Sequence, residues 1–287
     1  MKSYILASRP KTLPAAIVPV WVGCALAHRL TEQWDGRLAF YTVMGAVWIQ
    51  VATNFFNDAI DSQKGADTDA RLGPLRATAA GHLSIKTVYT AAFLCLLLAA
   101  FFGFPLFMER GWPMIAIAAP SFYLAYGYTG GPLPLAYKGL GELFVILFFG
   151  VVAVMGTVFV QTGVWYVEAL VAGLAIGCLS AVLISINNLR DIDEDRVNTK
   201  NTLAVKWGRR AVLNLVWMMI VVAYSCAVWL FGAGSDLLYF LPAFLLGLLI
   251  IRNIHRHLPG QIYNKFLAMA ALQLILYAAA FMLNCDS

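Results

Sequence analysis

The chain alternates between long apolar runs and short polar connections. A window of about 19 residues, the length used to detect transmembrane helices, finds nine runs that could each cross a bilayer. They lie near residues 12–30, 38–57, 88–108, 112–129, 139–161, 166–187, 211–232, 236–251 and 265–283. The pattern predicts an all-α integral membrane bundle of nine transmembrane helices. The eighth run is short and the third and fourth nearly touch, so counts of eight or ten remain open.

Composition supports a membrane protein and argues against a nucleic-acid partner. Hydrophobic residues make up 61% of the 287 residues and charged residues 12%, whereas about a quarter of the residues in a soluble domain are charged. The net charge is +5, but the basic residues are spread over the connections and form no basic helix or aromatic stacking module. Membrane lipid is therefore an expected partner, and nucleic acid is not.

The distribution of Lys and Arg predicts the orientation of the bundle. With a cytoplasmic N-terminus, the 20 Lys and Arg residues fall on the cytoplasmic side except for Arg29, Arg37 and Arg110. Cytoplasmic connections of membrane proteins carry such an excess of positive charge. We therefore expect the two longest polar connections, about 57–87 and 188–210, to face the cytoplasm.

Two clusters of Asn and Asp follow the second and sixth apolar runs. The first begins at Asn54 and extends to Asp69, and the second covers 187–195. Four helices separate the clusters, which predicts a parallel repeat of a four-helix unit with a ninth helix added. We treat residues 1–287 as a single transmembrane domain whose active-site loops are the two polar connections.

The clusters carry the residue types that bind Mg²⁺ and diphosphate. Carboxylates at the edge of a membrane are costly unless a cation pairs with them, and Mg²⁺ binds through a few carboxylates together with phosphate oxygens. Helical spacing puts members of each cluster on one face. The candidate metal ligands are Asn54, Asn57, Asp58, Asp61, Asp67, Asn188, Asp191 and Asp195. The candidate diphosphate ligands are Lys64, Arg71, Arg76, Arg190, Arg196 and Lys200.

Over essentially its whole length, the sequence resembles the UbiA-type superfamily of intramembrane aromatic prenyltransferases. Five segments carry the resemblance: Arg9-Pro10-Lys11-Thr12-Leu13-Pro14, Asn57-Asp58-x-x-Asp61, Lys64-Gly65-x-Asp67, Arg71-Leu-Gly73-Pro74-Leu75-Arg76, and Asn187-Asn188-x-Arg190-Asp191-x-x-x-Asp195-Arg196 with Lys200-Asn201-Thr202-Leu203. They are most similar to the branch that acts on 1,4-dihydroxy-2-naphthoate. Two departures from 4-hydroxybenzoate enzymes, Gly65 for a third Asp and Asn188 for an acid, agree with that branch.

The resemblance implies a bacterial inner-membrane enzyme with a cytoplasmic active site. It would transfer a polyprenyl group from polyprenyl diphosphate to dihydroxynaphthoate with Mg²⁺ as cofactor, losing the carboxylate and giving demethylmenaquinone. The implied catalytic residues are Asp58, Asp61, Asp191 and Asp195. Arg9 and Lys11 would either attract the carboxylate of the aromatic acceptor or only fix the topology.

Three alternative functions make different predictions. The acceptor could instead be 4-hydroxybenzoate, homogentisate or a haem-type compound. A divalent-cation transporter would place acids along a path through the membrane, whereas both clusters lie on one side. A CDP-alcohol phosphotransferase would carry an Asp-Gly-x-x-Ala-Arg motif, which this sequence lacks.

Overall fold

The protein is described by a computed structural model that covers residues 2–65, 72–73 and 76–286. All regular structure in these residues is helical. The α-helices are α1 Lys2–Ser8, α2 Pro14–Thr31, α3 Gly36–Gln63, α4 Ile85–Arg110, α5 Trp112–Gly127, α6 Gly141–Val145, α7 Ala153–Thr162, α8 Val167–Arg190, α9 Ile192–Val197, α10 Leu203–Phe231, α11 Leu241–Arg256 and α12 Tyr263–Asp286. Three 3₁₀ turns, Pro10–Thr12, Leu135–Tyr137 and Ser235–Phe240, and one π-helix, Ile146–Val152, complete the described elements.

Seven of the described helical segments are long and apolar enough to cross a membrane. An eighth is added if Ser3–Thr12 and Pro14–Thr31, which meet at a bend of 45°, form one broken span. The predicted span at 112–129 is the 16-residue helix α5, shorter than the ~20 apolar residues that usually cross a bilayer. The protein is thus a multi-pass membrane protein, but the count of nine spans is not confirmed.

Helix α8 lies at the centre of the bundle. Its apolar window is the most buried of the seven spans, and it packs against α10, α12 and the π-helix. The largest hydrophobic core forms around it, while a second core joins α3 to α4. The two helices that carry the acidic clusters therefore belong to different packing units, and the site lies where these units meet.

Glycines allow α8 to approach the π-helix closely. A Cβ atom on Gly177 would lie 2.4 Å from the carbonyl oxygen of Ile146, and one on Gly173 would lie 2.7 Å from the Cα of Val151. Gly150 faces them from the π-helix, where a Cβ would lie 2.3 Å from the carbonyl oxygen of Gly173. Membrane helices pack most tightly through such small-xxx-small pairs. This contact fixes the position of the π-helix, whose side chains line the cavity described below.

We expect Gly177→Ala to lower the melting temperature of the detergent-purified protein. The new methyl group meets backbone atoms, and overpacking of this kind typically costs about 1–3 kcal/mol. Gly103→Ala in α4 is the matched control, because nothing lies within 4 Å of its Cβ position and Ala favours a helix over Gly by up to about 1 kcal/mol. Thermal unfolding followed by size-exclusion fluorescence compares them. Equal melting temperatures would contradict the close contact.

Candidate active site

Helix α3 carries the first acidic cluster to its end, and Asp61 forms its most buried ion pair. The carboxylate accepts a hydrogen bond from the Arg76 guanidinium at 2.5 Å and another from the Tyr137 hydroxyl at 2.8 Å. Arg76 also donates to the carbonyl oxygen of Asn57 at 2.8 Å. Both members of the ion pair are buried. Arg76, which lies in the polar connection after α3, therefore neutralises the Asp61 carboxylate near the end of that helix.

Asp58 has a different environment, since it binds the backbone of the connection that follows α3. Its two carboxylate oxygens accept the N–H groups of Ala77 and Thr78 at 3.1 Å each, and the Thr78 hydroxyl also donates to it. These bonds occupy both oxygens. In this structure Asp58 anchors the turn at 76–80 rather than facing the cavity.

The two asparagines of the first cluster contact neighbouring segments. Asn54 donates to the Ser8 carbonyl oxygen at 2.8 Å and to the Thr12 hydroxyl at 2.9 Å, so it ties α3 to the break between α1 and α2. Asn57 accepts a hydrogen bond from the hydroxyl of Thr129. Both asparagines line the main cavity.

The second cluster lies across the junction of α8 and α9. Asp191 occupies the break between the two helices and forms a bidentate pair with Arg190, at 2.7 and 2.6 Å. Asp195, in α9, lies 3.4 Å from the Lys200 ammonium through one oxygen. Its other oxygen, Oδ2, is buried without a hydrogen-bond partner. An unpartnered buried carboxylate oxygen is costly, and it marks a position where a cation would be stabilised.

Asn187, rather than Asn188, lines the cavity beside Arg190. Asn188 instead donates to the buried carboxylate of Glu142 at 2.9 Å. Arg190 donates to the side-chain oxygen of Asn187 at 2.9 Å and to that of Asn264, in α12, at 2.7 Å. The Asn264 amide then donates to the carbonyl oxygen of Leu72 at 3.1 Å. This chain of bonds joins α8, the last helix and the connection after α3.

Tyr137 bridges the two clusters. Its hydroxyl binds Asp61, while the Lys64 ammonium lies 3.8 Å and the Lys200 ammonium 5.8 Å from its ring centroid. Cations at such distances are attracted to the face of an aromatic ring. Because Lys200 also pairs with Asp195, one tyrosine places Asp61 and Asp195 around a shared group of cations.

A cavity of about 1580 Å³ lies beneath the clusters. It exceeds the roughly 300–1,000 Å³ of ordinary small-molecule sites, and most of its wall is apolar. The Asn and Arg side chains of the lining include Asn57, near the end of α3, and Asn187 and Arg190, at the end of α8. Apolar residues such as Phe104, Phe148 and Phe149 form much of the wall. The space can accommodate a long hydrocarbon chain with its polar head at the clusters.

Arg9 and Lys11 line this cavity as well. Arg9 has a positive φ of 50° at the break between α1 and the 3₁₀ turn, a conformation that is unfavourable for a non-glycine residue. The proline that follows restricts the backbone further. The hydrogen bonds of Asn54 hold this segment in place, so the two cations are presented to the cavity from a fixed backbone.

Other predicted residues lie elsewhere. Arg196 is exposed and pairs at 3.5 Å with the exposed Asp193, outside the group around Tyr137. The predicted ligands Asp67 and Arg71, with Asp69, lie outside the described residues.

The donor set fits Mg²⁺, although protein carboxylates alone do not complete a shell. Among the described residues, no three His, Cys, Asp or Glu side chains form a metal-binding group. Mg²⁺ in proteins usually takes one or two carboxylates and keeps water or substrate phosphate oxygens as its other ligands. Asp61 and Asp195, with the unpartnered oxygen of the latter, match that requirement.

Burial changes the titration of two groups in the polar connections. It raises the pKa of Asp195 to about 6, an effect that Lys200 opposes and that Asp191 and Asp61 reinforce. It lowers the pKa of Lys64, against the attraction of Asp61. Asp195 therefore exchanges its proton close to neutral pH, where it can respond to an approaching cation.

These features belong to a membrane prenyltransferase. Residues 16–283 match the UbiA prenyltransferase family, and the chain belongs to that family. It is similar to proteins named 1,4-dihydroxy-2-naphthoate octaprenyltransferase. The protein of Mycobacterium leprae is 33% identical over 96% of this chain and 94% of its own, and that of Haemophilus influenzae is 34% identical over 72% and 70%.

Solved structures share the fold at low sequence identity. A UbiA homologue from Aeropyrum pernix superposes with a TM-score of 0.74 at 16% identity, covering 96% of this chain and 98% of its own. A homologue from Archaeoglobus fulgidus, described as bound to DMAPP and Mg²⁺, gives a TM-score of 0.68 at 14% identity over 97% and 99%.

Sequence reasoning missed several residues that organise the site. Tyr137 lies in a connector rich in Gly and Pro, and the contacts of its hydroxyl with Asp61 and of its ring with two Lys residues depend on the folded structure. The prediction named Asn188 and not Asn187, because on a helix either residue can share a face with Asp191. Thr78 and Asn264 bind across long sequence separations.

We expect Asp58→Asn to loosen the turn at 76–80 whether or not Mg²⁺ is present. The amide replaces one acceptor oxygen with a donor that faces a backbone N–H, and an unsatisfied buried group costs about 1–3 kcal/mol. Limited trypsinolysis followed by mass spectrometry should show faster cleavage at Arg76. Asp193→Asn, at an exposed position, is the control. If the variant and the wild-type protein differ in cleavage at Arg76 only when Mg²⁺ is present, Asp58 would instead be a metal ligand.

Proposed function

We propose that the protein catalyses Mg²⁺-dependent transfer of a polyprenyl group from polyprenyl diphosphate to 1,4-dihydroxy-2-naphthoate, with decarboxylation to demethylmenaquinone in its reduced, quinol form. The names of its relatives support the acceptor, and the DMAPP and Mg²⁺ of the archaeal homologue support the donor class. The observation that carries the proposal is the meeting of two carboxylate groups, through Tyr137, above a large apolar cavity.

Asp61, Asp191 and Asp195 would hold Mg²⁺, with Asn57 and Asn187 supplying neutral oxygens beside them. When bound, the metal neutralises charge on the leaving diphosphate. Asp58 has a positioning role in this proposal, because both of its oxygens bind the turn at 76–80.

The basic residues of the clusters would bind the diphosphate. Three of these cations pair with carboxylates in this structure: Arg76, Arg190 and Lys200. A bound diphosphate would interact with the same cations, and the charge of Mg²⁺ would then balance the carboxylates in their place. Lys64, whose ammonium also donates to the Thr129 carbonyl oxygen at 2.8 Å, would complete the group. Preorganised cations of this kind stabilise a developing anion without reorganisation.

The reaction breaks the C–O bond between the allylic carbon and the diphosphate, which leaves with the electron pair. The ring carbon of the acceptor that carries the carboxylate forms the new C–C bond. Cleavage of the bond from that carbon to the carboxylate releases CO₂, and the electron pair of that bond restores the aromaticity of the ring, so the product is the quinol, demethylmenaquinol. Phe148 and Phe149 belong to the apolar wall that would exclude water from the allylic cation. Arg9 and Lys11 would attract the acceptor carboxylate.

The membrane arrangement follows from the charge pattern. We propose a cytoplasmic N-terminus, because Arg29, Arg37 and Arg110 are the basic residues on the opposite side. The active site then faces the cytoplasm in a bacterial inner membrane. Counting the bent pair and α5 as spans gives nine in a single domain, and a parallel four-helix repeat would relate α3 to α8.

The direct test is mass spectrometry of products formed by purified protein from a defined polyprenyl diphosphate and each of several acceptors. We expect demethylmenaquinol, which oxygen in the buffer oxidises to demethylmenaquinone, together with CO₂ from dihydroxynaphthoate, and no product after chelation of Mg²⁺. Asp61→Asn and Asp191→Asn should each lower kcat roughly 10²- to 10³-fold, as loss of one preorganised electrostatic group does, whereas Asp193→Asn should not. A product that forms with 4-hydroxybenzoate and not with dihydroxynaphthoate would refute dihydroxynaphthoate as the acceptor.

We expect the Mg²⁺ requirement to rise at acid pH. Below about 6 the Asp195 carboxyl holds a proton that the metal must displace. The Mg²⁺ concentration for half-maximal activity should therefore increase about tenfold for each pH unit below 6 and level off above pH 7. Titrations of initial rate with Mg²⁺ between pH 5 and 8 measure this effect. The same requirement at pH 5 and pH 7.5 would exclude Asp195 from the metal site.

A further inference from the structure

Two buried polar side chains on the cavity wall each carry one atom without a hydrogen-bond partner. Gln50 in α3 is 7% exposed and Ser180 in α8 is 4% exposed. Both line the cavity, yet the Gln50 Oε1 atom and the Ser180 hydroxyl have no hydrogen bond. An unsatisfied polar group inside a membrane protein costs free energy, and a ligand that satisfied these atoms would recover that cost.

The hydrogen bonds around Gln50 fix the direction of its amide. Asn54 donates through its nitrogen to Ser8 and Thr12, which leaves its oxygen facing Gln50. The Gln50 nitrogen donates to that oxygen at 3.3 Å and to the Thr12 hydroxyl at 3.2 Å. The free atom of Gln50 is therefore an acceptor, suited to a ligand O–H group.

Ser180 differs from most hydroxyl residues in the neighbouring helices. Thr42, Thr53, Ser121 and Thr157 each donate to the carbonyl oxygen four residues earlier, at 2.7–2.8 Å, as serine and threonine commonly do in helices. Ser180 makes no such bond. Its buried hydroxyl therefore has no hydrogen-bond partner in the described part of the chain.

The two groups occupy matching positions relative to the clusters. Gln50 precedes Asn57 by seven residues, and Ser180 precedes Asn187 by seven residues, which on an α-helix is about 10 Å. Each therefore lies two turns deeper than the polar end of the cavity on its own helix. Gln50 also lies close to the proposed acceptor cation Lys11 along the chain, because its amide bonds to the hydroxyl of the next residue, Thr12.

We infer that Gln50 and Ser180 form the subsite that binds the ring hydroxyls of the aromatic acceptor and so determine its orientation. The inference rests on the proposed function. An acceptor held by Arg9 and Lys11 through its carboxylate extends into the cavity, where its hydroxyls meet the two unpartnered groups. The subsite favours a dihydroxylated ring, because an acceptor without one hydroxyl leaves a protein group unpaired.

The test compares dihydroxynaphthoate with 1-hydroxy-2-naphthoate and 4-hydroxy-2-naphthoate as competing ligands of the purified enzyme. Wild-type protein should bind each monohydroxylated analogue about tenfold more weakly, the effect of one hydrogen bond. In Gln50→Leu the penalty for one analogue should disappear, and in Ser180→Ala the penalty for the other should disappear. The KM for polyprenyl diphosphate should stay unchanged in both variants.

Two residues provide matched controls. Gln273 and Ser185 are also buried with an unpartnered polar atom, but neither lines the cavity, so Gln273→Leu and Ser185→Ala should retain the wild-type penalties. Gln50→Met replaces Gln50→Leu if the latter does not fold.

Each outcome decides the inference. If wild-type protein binds all three compounds equally, as expected when water alone fills the subsite, the inference is overturned and no variant is needed. Penalties that persist in both variants also overturn it. Failure of wild-type protein to prenylate dihydroxynaphthoate would instead count against the proposed function.

Discussion

The site depends on keeping carboxylates from two packing units close together in a poorly hydrated place. Tyr137 makes this possible, because its hydroxyl binds Asp61 while its ring attracts Lys64 and Lys200. Lys200 in turn pairs with Asp195. Repulsion between the acids is thus offset by cations that a neutral ring holds between them. These same cations are available to an anionic substrate, so the contacts that stabilise the protein also prepare it for diphosphate.

A second constraint is the shape of the cavity, which the backbone sets more than the side chains do. The π-helix carries Phe148 and Phe149 into the wall, and its position is fixed by the glycines of α8. At the polar end, Asn54 holds the strained segment around Arg9. π-Helical segments often occur at functional sites, and here the segment contributes side chains to the lining while it packs against the central helix.

The sequence was sufficient to predict the helical class, the membrane location and the family, because apolar run length and Asn/Asp spacing are local properties. It also predicted Asp61, Arg76, Arg190 and Asp195 as site residues, and the structure buries all four in ion pairs; their roles remain predictions. It could not distinguish Asn187 from Asn188, or show that Asp58 binds a turn, because those outcomes depend on helix rotation and on loop contacts. Tyr137 was missed for the same reason: its partners are up to 76 residues away.

The bonds from Arg190 to Asn264 and from Asn264 to Leu72 join the middle of the chain, its last helix and its first long connection. Membrane proteins emerge from the ribosome in order from the N-terminus. The first connection therefore lacks its anchor until α12 has been synthesised and inserted. A nascent chain that still awaits this helix carries both acidic clusters but lacks the Asn264 bridge between Arg190 and Leu72, so insertion of the last helix is the step that completes this network.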